Sequence, residues 1–187
     1  MPATVTHSGH SETPTSLLRA ALRHPAHTPS PIPCCLPCSN NKLQQLLPGI
    51  QTLQSLRMLD LSDNPLGPTL IEEVALLPNL ATLNCNNCGL QALPDALGGV
   101  QQPRLSGLSV TGNALRALPS GLACAGALVV LKASNNQLLE LPGQVVKGWT
   151  SLKELDVSHN QLQVGSKGSN SQLACWTVCA VLQQITW

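Results

Sequence analysis

The feature that most constrains this chain is a spacing of apolar residues that recurs along it. The stretch LKELDVSHNQL, at residues 152–162, follows the template L-x-x-L-x-L-x-x-N-x-L, and LRMLDLSDNPL, at residues 56–66, follows it too. The template fits, with substitutions, from six starting positions, which are residues 33, 56, 80, 105, 128 and 152. These starts are 23, 24, 25, 23 and 24 residues apart. Such a regular period predicts a stack of similar structural units.

The template also predicts the local structure of each unit. The alternation in Leu59-Asp60-Leu61 has period two, which indicates a short strand with its leucines on one face. A single unit cannot bury that face alone, so neighbouring units stack and their strands pair into a parallel sheet. An asparagine follows each strand where the chain turns, and its amide can both donate to and accept from buried backbone groups of its own and adjacent units. These asparagines are Asn41, Asn64, Asn113, Asn136 and Asn160, and Cys88 takes the place in the third unit.

The template and its period resemble the leucine-rich-repeat family over residues 33–163. The segments LLPGIQTL, ALPDALGGV and ALPSGL add a second half with Leu-Pro. That ending is similar to the intracellular subclass found in Ras-pathway scaffolds and plant Ras-group-related repeat proteins. The resemblance implies an α/β solenoid of about six repeats, a horseshoe with the parallel sheet on its concave face and irregular or short helical segments on its convex face.

The composition shift along the chain predicts three regions. Residues 1–32 are rich in Ser, Thr, Pro and His and are expected to be a disordered leader, or alternatively an organelle transit peptide with an Arg-bearing helix. Residues 33–163 are the repeat domain. Residues 164–187 form a divergent tail, interpreted either as a short helix that caps the last repeat or as unrelated sequence joined where a longer repeat protein is cut or alternatively spliced.

Composition and charge argue against several classes of partner. The chain has no Phe or Tyr, three Trp, 10% charged residues and a formal net charge of +1. A nucleic-acid partner is not expected, because such proteins need basic patches and aromatic stacking platforms. A membrane partner is not expected either, because no apolar run is long enough to span one. The predicted location is the cytoplasm.

The eight cysteines are interpreted mainly as packing residues. Residues 35–38 and 85–88 each have the C-x-x-C spacing of zinc or redox sites. The repeat register, however, places Cys38 and Cys85 at inward strand positions two units apart, roughly 10 Å, too far to share a metal ion. A disulfide or metal clip among Cys34, Cys35 and Cys38 stays open as an alternative. No metal or other cofactor is predicted.

No catalytic motif accompanies the repeats. The sequence contains no glycine-rich phosphate loop, H-E-x-x-H or G-x-S-x-G. His159 lies close in sequence to Glu154 and Asp156, but the register places no nucleophile beside them, so it is interpreted as an exposed recognition residue. We expect no enzyme activity.

The variable positions of the units predict the functional surface. They are small and polar, and they suit hydrogen-bonded contact with a neutral or mildly basic protein surface, although the same residues also serve as filler on any soluble solenoid. The predicted partner-binding residues are Met58, Asp60, Asp63, Thr82, Asn84, Asn86, Ser109, Thr111, Lys132, Ser134, Glu154, Asp156 and His159.

The predicted function is a non-catalytic protein–protein interaction module or scaffold that binds through its concave face. The resemblance to the Ras-related subclass implies a small GTPase or its signalling complex as one candidate partner. The alternative is a regulatory or substrate-recognition fragment of a larger enzyme, such as a kinase or ubiquitin ligase. The sequence does not indicate the oligomeric state.

Overall fold

A computed structural model describes residues 34–46 and 48–162. The predicted leader and tail therefore lie outside the described residues, as does residue 33, where the first repeat starts. The described part forms one parallel sheet in which the strands follow chain order. Its strands are β1 (Cys35–Pro37), β2 (Met58–Asp60), β3 (Thr82–Asn84), β4 (Gly107–Ser109), β5 (Val130–Lys132) and β6 (Glu154–Asp156).

The strands pair without any shift of register from one unit to the next. The central leucines Leu36, Leu59, Leu83, Leu108, Leu131 and Leu155 are direct partners along the sheet. Each spacing between template starts thus equals the spacing between paired residues. The α/β solenoid and its six repeats are confirmed, and the shared register is why one template describes every unit.

The core is a column of aliphatic side chains inside the stack. Leu59, Leu83 and Leu131 are completely buried, and Cys85 and Ala133 take the second inward strand position that Leu61 holds in the second unit. Because the chain has no Phe or Tyr, leucine supplies most of the buried volume. Trp149 is the one aromatic side chain in this core among the described residues.

On the opposite side, four of the described units carry a short helical segment and the third has irregular turns, in line with the predicted irregular or short helical segments. Three are 3₁₀ helices, at Ile50–Thr52, Glu72–Leu76 and Ser120–Cys124, and the fourth is α1 (Gly143–Gly148). Proline precedes two of them directly: Pro119 and Pro142 hold extended backbone angles at the helix start. Proline fixes φ near the value a first turn needs and has no N–H to leave unpaired. The Leu-Pro pattern therefore marks the start of two of the four helical segments, whereas Leu93-Pro94 leads into turns.

One residue before each turn asparagine, the backbone is left-handed in every unit. Asn40, Asp63, Asn87, Asn135 and His159 have φ between 53° and 59°, and Gly112 has φ 72°. Asn, Asp, His and Gly are the residues that adopt this conformation most readily. His159 therefore occupies a position that the backbone restricts, which differs from the freely variable position predicted for it. No described helix has the length and apolar character needed to cross a bilayer.

Candidate functional site

The first and third residues of each strand point away from the core and form two adjacent rows across the sheet. We name these rows the strand face. The first row contains Cys35, Met58, Thr82, Gly107, Val130 and Glu154. The second row contains Pro37, Asp60, Asn84, Ser109, Lys132 and Asp156. None of these residues is buried, and Met58 is 43% exposed, so the strand face is open to a partner.

The charges of the strand face are mostly acidic. Lys132 Nζ lies 2.9 Å from Glu154 Oε1, and both side chains are about half exposed, so this pair contributes little to stability. Asp60 accepts the backbone N–H of Ser62 at 3.0 Å. Asp156 does the same with Ser158 and also accepts its hydroxyl at 2.7 Å. The Ser158 hydroxyl and N–H lower the pKa of Asp156. Both aspartates thus shape their own bends as well as presenting charge.

The next outward positions behave differently, and we name Ser62, Asn86, Thr111 and Ser134 the polar row. Asn86 Oδ1 accepts the Ser109 hydroxyl at 2.8 Å and the Thr111 N–H at 2.9 Å. The Asn86 N–H donates to Ser62 Oγ at 3.3 Å, and the hydroxyls of Thr111 and Ser134 lie 3.3 Å apart. These side chains join each unit to the next and are already hydrogen-bonded.

Ser134 contradicts the prediction that it is an exposed contact residue. Its exposed fraction is only 5%, and its hydroxyl contacts the neighbouring unit. The chain bends after the strand, so this outward position is covered by adjacent units. Asn86 and Thr111 are partly exposed, with their polar groups engaged between units. Asp63 and His159 are exposed, and both occupy the position with left-handed backbone that comes one residue before the turn asparagine.

The turn asparagines form the backbone-satisfying ladder that the sequence predicts. Asn136 is buried, and its Nδ2 donates to the carbonyls of Val110 at 2.9 Å, Ala133 at 3.2 Å and Ser134 at 3.1 Å. Its Oδ1 accepts the Leu115 N–H at 3.0 Å. Asn64, Asn113 and Asn160 make equivalent contacts. Each amide therefore satisfies groups in two units.

Cys88 fills the same turn position with a weaker group. Its Sγ lies 3.2 Å from the Leu61 carbonyl and 3.3 Å from the Asn86 carbonyl. A thiol has no counterpart to the amide oxygen, and the Leu66 N–H instead donates to the Asn64 carbonyl within its own unit. Burial raises the pKa of Cys88. The thiol therefore fills space in the core and donates a weak hydrogen bond, but it does not accept an N–H from the second unit as an asparagine would.

The remaining described cysteines are also thiols. Cys38 and Cys85 are buried, and burial raises the pKa of both, most strongly for Cys85. A raised thiol pKa disfavours the thiolate that nucleophiles and metal ligands need. Cys34 and Cys35 are exposed, with their sulfurs 3.7 Å apart. Within residues 34–46 and 48–162, no three His, Cys, Asp or Glu side chains are arranged to hold a metal ion.

Sequence reasoning missed a groove beside the strand face. It is open, has a volume of about 730 Å³, and lies between the turns of the second and third units. Asp63 and Asn87 form one wall, where Asn87 Nδ2 donates to Asp63 Oδ1 at 2.9 Å. The other lining residues are Asn64, Pro65, Gly67, Pro68, Cys88, Gly89 and Gln91. The P-L-G-P run at residues 65–68 was the available signal, since Pro and Gly mark an irregular turn.

Comparisons with known proteins agree with this geometry. Two family models, both described as a leucine-rich repeat, match residues 55–77 and 150–166. Together with the six-stranded parallel sheet, they support a leucine-rich-repeat solenoid fold for the described part of the chain. Neither description specifies the Ras-related subclass, which stays a prediction. Folds of this class are typically non-catalytic modules for protein interaction.

Among curated proteins, the chain is 31% identical over 137 residues to leucine-rich repeat serine/threonine-protein kinase 1 of Mus musculus. The match covers 62% of this chain and 7% of the kinase. This chain is also 38% identical over 74 residues to uridine 5'-monophosphate transferase of Xanthomonas campestris pv. campestris (strain 8004). That match covers 40% of this chain and 13% of the transferase. The matched part is thus a small fraction of each relative.

Two solved structures are also similar. One is a leucine-rich-repeat protein of Leptospira interrogans, with a TM-score of 0.47 and 28% identity over 67% of this chain and 37% of that chain. The other is TLR13 in its complex with ssRNA13, with a TM-score of 0.45 and 23% identity over 65% of this chain and 20% of that chain.

Proposed function

We propose that this chain is a non-catalytic protein-interaction module that binds a protein partner through its strand face. The observation that carries the proposal is the contrast within the outward residues. Thr82, Asn84 and Met58 are accessible and make no side-chain hydrogen bond to the described residues, while the polar row behind them holds the units in a fixed arrangement. Such an arrangement suits recognition, because a fixed backbone loses little conformational entropy on binding and the side chains keep their polar groups available to the partner.

The charge of this surface favours a neutral or basic partner. Asp60, Asp63 and Asp156 carry no cationic partner within 4.0 Å among the described residues, whereas Glu154 is paired with Lys132. An acidic strip attracts Lys- and Arg-bearing surfaces and raises their rate of association. The exposed thioether of Met58 offers an adaptable apolar contact on the second strand of the strip.

The size of the strand face implies that a partner reaches beyond it. Six strands spaced about 4.8 Å apart span roughly 24 Å, so a strip about 20 Å tall offers on the order of 500 Å². A standard partner footprint is about 800 Å². The groove beside Asp63 adjoins the strip and supplies additional surface. We therefore include Asp63 and Gln91 in the proposed binding surface.

A small GTPase or its signalling complex is the candidate partner that the subclass resemblance suggests, and the cytoplasm is the proposed location. The buried thiols of Cys38, Cys85 and Cys88 suit a reducing compartment. Purified small GTPases, each loaded with GDP or with a non-hydrolysable GTP analogue, test the candidate directly. Binding that depends on the nucleotide and on Asp60 supports it, and equal binding of the Asp60→Asn variant contradicts it.

The general proposal is tested by photo-crosslinking. A crosslinking amino acid at Thr82 is compared with one at Gln144, which is exposed on α1 on the opposite side of the unit. We expect one protein to be captured from Thr82 and not from Gln144, with capture lost when Asp60 and Asp156 are both changed to Asn. Equal capture from the two positions would refute binding through the strand face.

A second candidate function is recognition or regulation within a larger enzyme, such as a kinase or ubiquitin ligase. The match to 7% of the mouse kinase favours it, because the similar segment there is a small part of an enzyme. Sequencing full-length transcripts across codon 162 separates the two candidates. A reading frame that continues into a catalytic domain supports the second, and a stop after residue 187 in every transcript argues against it.

A further inference from the structure

The first unit places two exposed thiols side by side. The Sγ atoms of Cys34 and Cys35 lie 3.7 Å apart, and both side chains are exposed. The backbone beneath them is anchored, because the Cys34 carbonyl accepts the N–H groups of Arg57 at 2.8 Å and Met58 at 3.0 Å. Cys35 is the first residue of β1 and pairs directly with Met58 in β2. The two thiols therefore have a defined position beside the second strand of the strand face.

The alternation of side chains along β1 decides which sulfur atoms share this surface. Cys38 follows Cys35 by three residues, so it lies on the opposite, inward side, where it is only 1% exposed. Met58, the direct partner of Cys35, is 43% exposed on the outward side. Neighbouring strands are about 4.8 Å apart, a distance that a flexible methionine side chain can bridge. The sulfur atoms available together are thus two thiols and one thioether, rather than the two thiols of the C-x-x-C spacing.

A disulfide between the two adjacent thiols is disfavoured by the chain itself. Consecutive Cα atoms are about 3.8 Å apart, whereas disulfides usually join Cα atoms that are about 4.4–6.8 Å apart. The parallel pairing of Cys35 with Met58 also limits how far the backbone can adjust. The dithiol form is therefore favoured, and in it both sulfur atoms can act as ligands.

The separation of the two thiol sulfur atoms fits a bridging metal ion with a bent geometry. With bonds of about 2.3 Å, the length of a zinc–thiolate bond, the 3.7 Å gap corresponds to a sulfur–metal–sulfur angle of about 107°. A linear arrangement with the same bonds would need a gap of about 4.6 Å. A bent arrangement leaves one side of the ion open to a third ligand, and Met58 lies on that face of the sheet.

The kind and number of donor atoms select the metal. Thiolate and thioether ligands favour soft ions, Cu(I) among them. A structural zinc site almost always has four ligands. Within residues 34–46 and 48–162, no three His, Cys, Asp or Glu side chains are grouped to provide such a set. Three sulfur donors therefore suit Cu(I) better than zinc.

We propose that Cys34, Cys35 and Met58 form a binding site for one Cu(I) ion on the first two strands of the strand face. Both thiols release their protons when the ion binds, and the thioether completes an all-sulfur environment. The site uses residues of two neighbouring units, so it exists only when those units are stacked. It does not depend on the proposed binding of a protein partner.

Anaerobic titration with Cu(I) against a coloured Cu(I) chelator tests the site. The starting variant is the full chain with Cys124→Ser, Cys175→Ser and Cys179→Ser, in which the thiols beside the proposed pair are the three buried ones. We expect one ion per chain to be retained, and this ion to be lost in Cys34→Ser and in Cys35→Ser. These two changes replace exposed thiols with hydroxyls and should keep the fold. No retained ion in the starting variant, or equal retention in either serine variant, would overturn the proposal.

X-ray absorption spectroscopy at the copper edge tests the third ligand. We expect three sulfur neighbours around copper in the starting variant and two in Met58→Leu, which keeps the apolar volume but lacks the thioether. Leu139→Met, which adds a thioether at an exposed position outside the site, serves as the control and should leave the count at three. A sulfur count that Met58→Leu does not change would contradict the role of Met58.

A parallel titration with Zn²⁺ against a zinc indicator tests the choice of metal. Because the proposed site offers three sulfur donors and one of them is a neutral thioether, we expect zinc to be released to the indicator while Cu(I) is retained against its chelator. Zinc that is retained at one ion per chain and lost in Cys34→Ser would contradict a site selective for Cu(I).

Discussion

The strand face and the polar row lie side by side, the first on the strands and the second two residues beyond their ends, yet their chemistry differs. Thr82 and Asn84 on the strand face are accessible, with no side-chain hydrogen bonds among the described residues. Asn86, two residues after Asn84, holds the hydroxyl of Ser109 and the N–H of Thr111. An outward direction is therefore not the same as availability to a partner. Recognition is expected from the strand face, and stability from the polar row and the turn asparagines.

The largest effect that would test this division is expected at Asn136. Asn136→Ala leaves the buried Leu115 N–H without its acceptor. The carbonyls of Val110 and Ala133 each lose one donor but keep the amides of Asn113 and Asn160. An unsatisfied buried group costs about 1–3 kcal/mol and further hydrogen bonds are lost with it, so we expect the free energy of unfolding to fall by about 2–3 kcal/mol. Urea denaturation measures it, with the exposed Gln137→Ala as control. A loss below about 1 kcal/mol would show that the ladder is not a main source of stability.

A smaller effect separates the two surfaces within one repeat unit. Asn86→Ala removes two hydrogen bonds between units and is expected to lower the free energy of unfolding by about 1–2 kcal/mol. Asn84→Ala removes none and should change it by less than about 0.5 kcal/mol, while weakening binding of the partner. The pair is compared by denaturation and by partner affinity. If Asn84→Ala is the more destabilising change, the division between the surfaces is wrong.

The turn position of the third unit should tolerate truncation better than that of the fifth. Cys88→Ala removes a thiol that makes two weak contacts, so we expect a loss of about 1 kcal/mol, less than for Asn136→Ala. Parallel thermal and urea denaturation of the two variants gives the comparison. A larger loss at Cys88 would mean that packing volume, rather than hydrogen bonding, dominates at this position.

The smallest expected effect is a pH dependence at Asp156. Its pKa in the folded chain lies below the ordinary value of 3.8, because the Ser158 hydroxyl and N–H favour the carboxylate. The unfolded chain then binds the proton first as the pH falls, so this contribution is present above about pH 4 and is lost through the folded pKa. Asp156→Asn should flatten the acid limb of a stability-versus-pH curve. An unchanged acid limb would contradict the assignment.

The fold could be predicted from the sequence because the repeat period determines which residues are buried and which residues pair between neighbouring strands. The leucine positions, the strand register and the role of Asn136 follow from spacing and amide chemistry alone. The burial of Ser134 does not follow, because period two gives the direction of a side chain but not where the chain bends beneath its neighbour. The groove beside Asp63 and Gln91 was missed for a related reason, since it arises from two irregular turns in adjacent units.

The distribution of thiols has a practical consequence for following how the solenoid opens. Cys34, Cys35 and Cys124 are exposed, whereas Cys38 and Cys85 are buried in the first and third units. A maleimide therefore labels the exposed group at once and reaches the buried pair only through local opening. The ratio of the Cys38 and Cys85 labelling rates then reports whether the array frays from its first coil or opens cooperatively throughout.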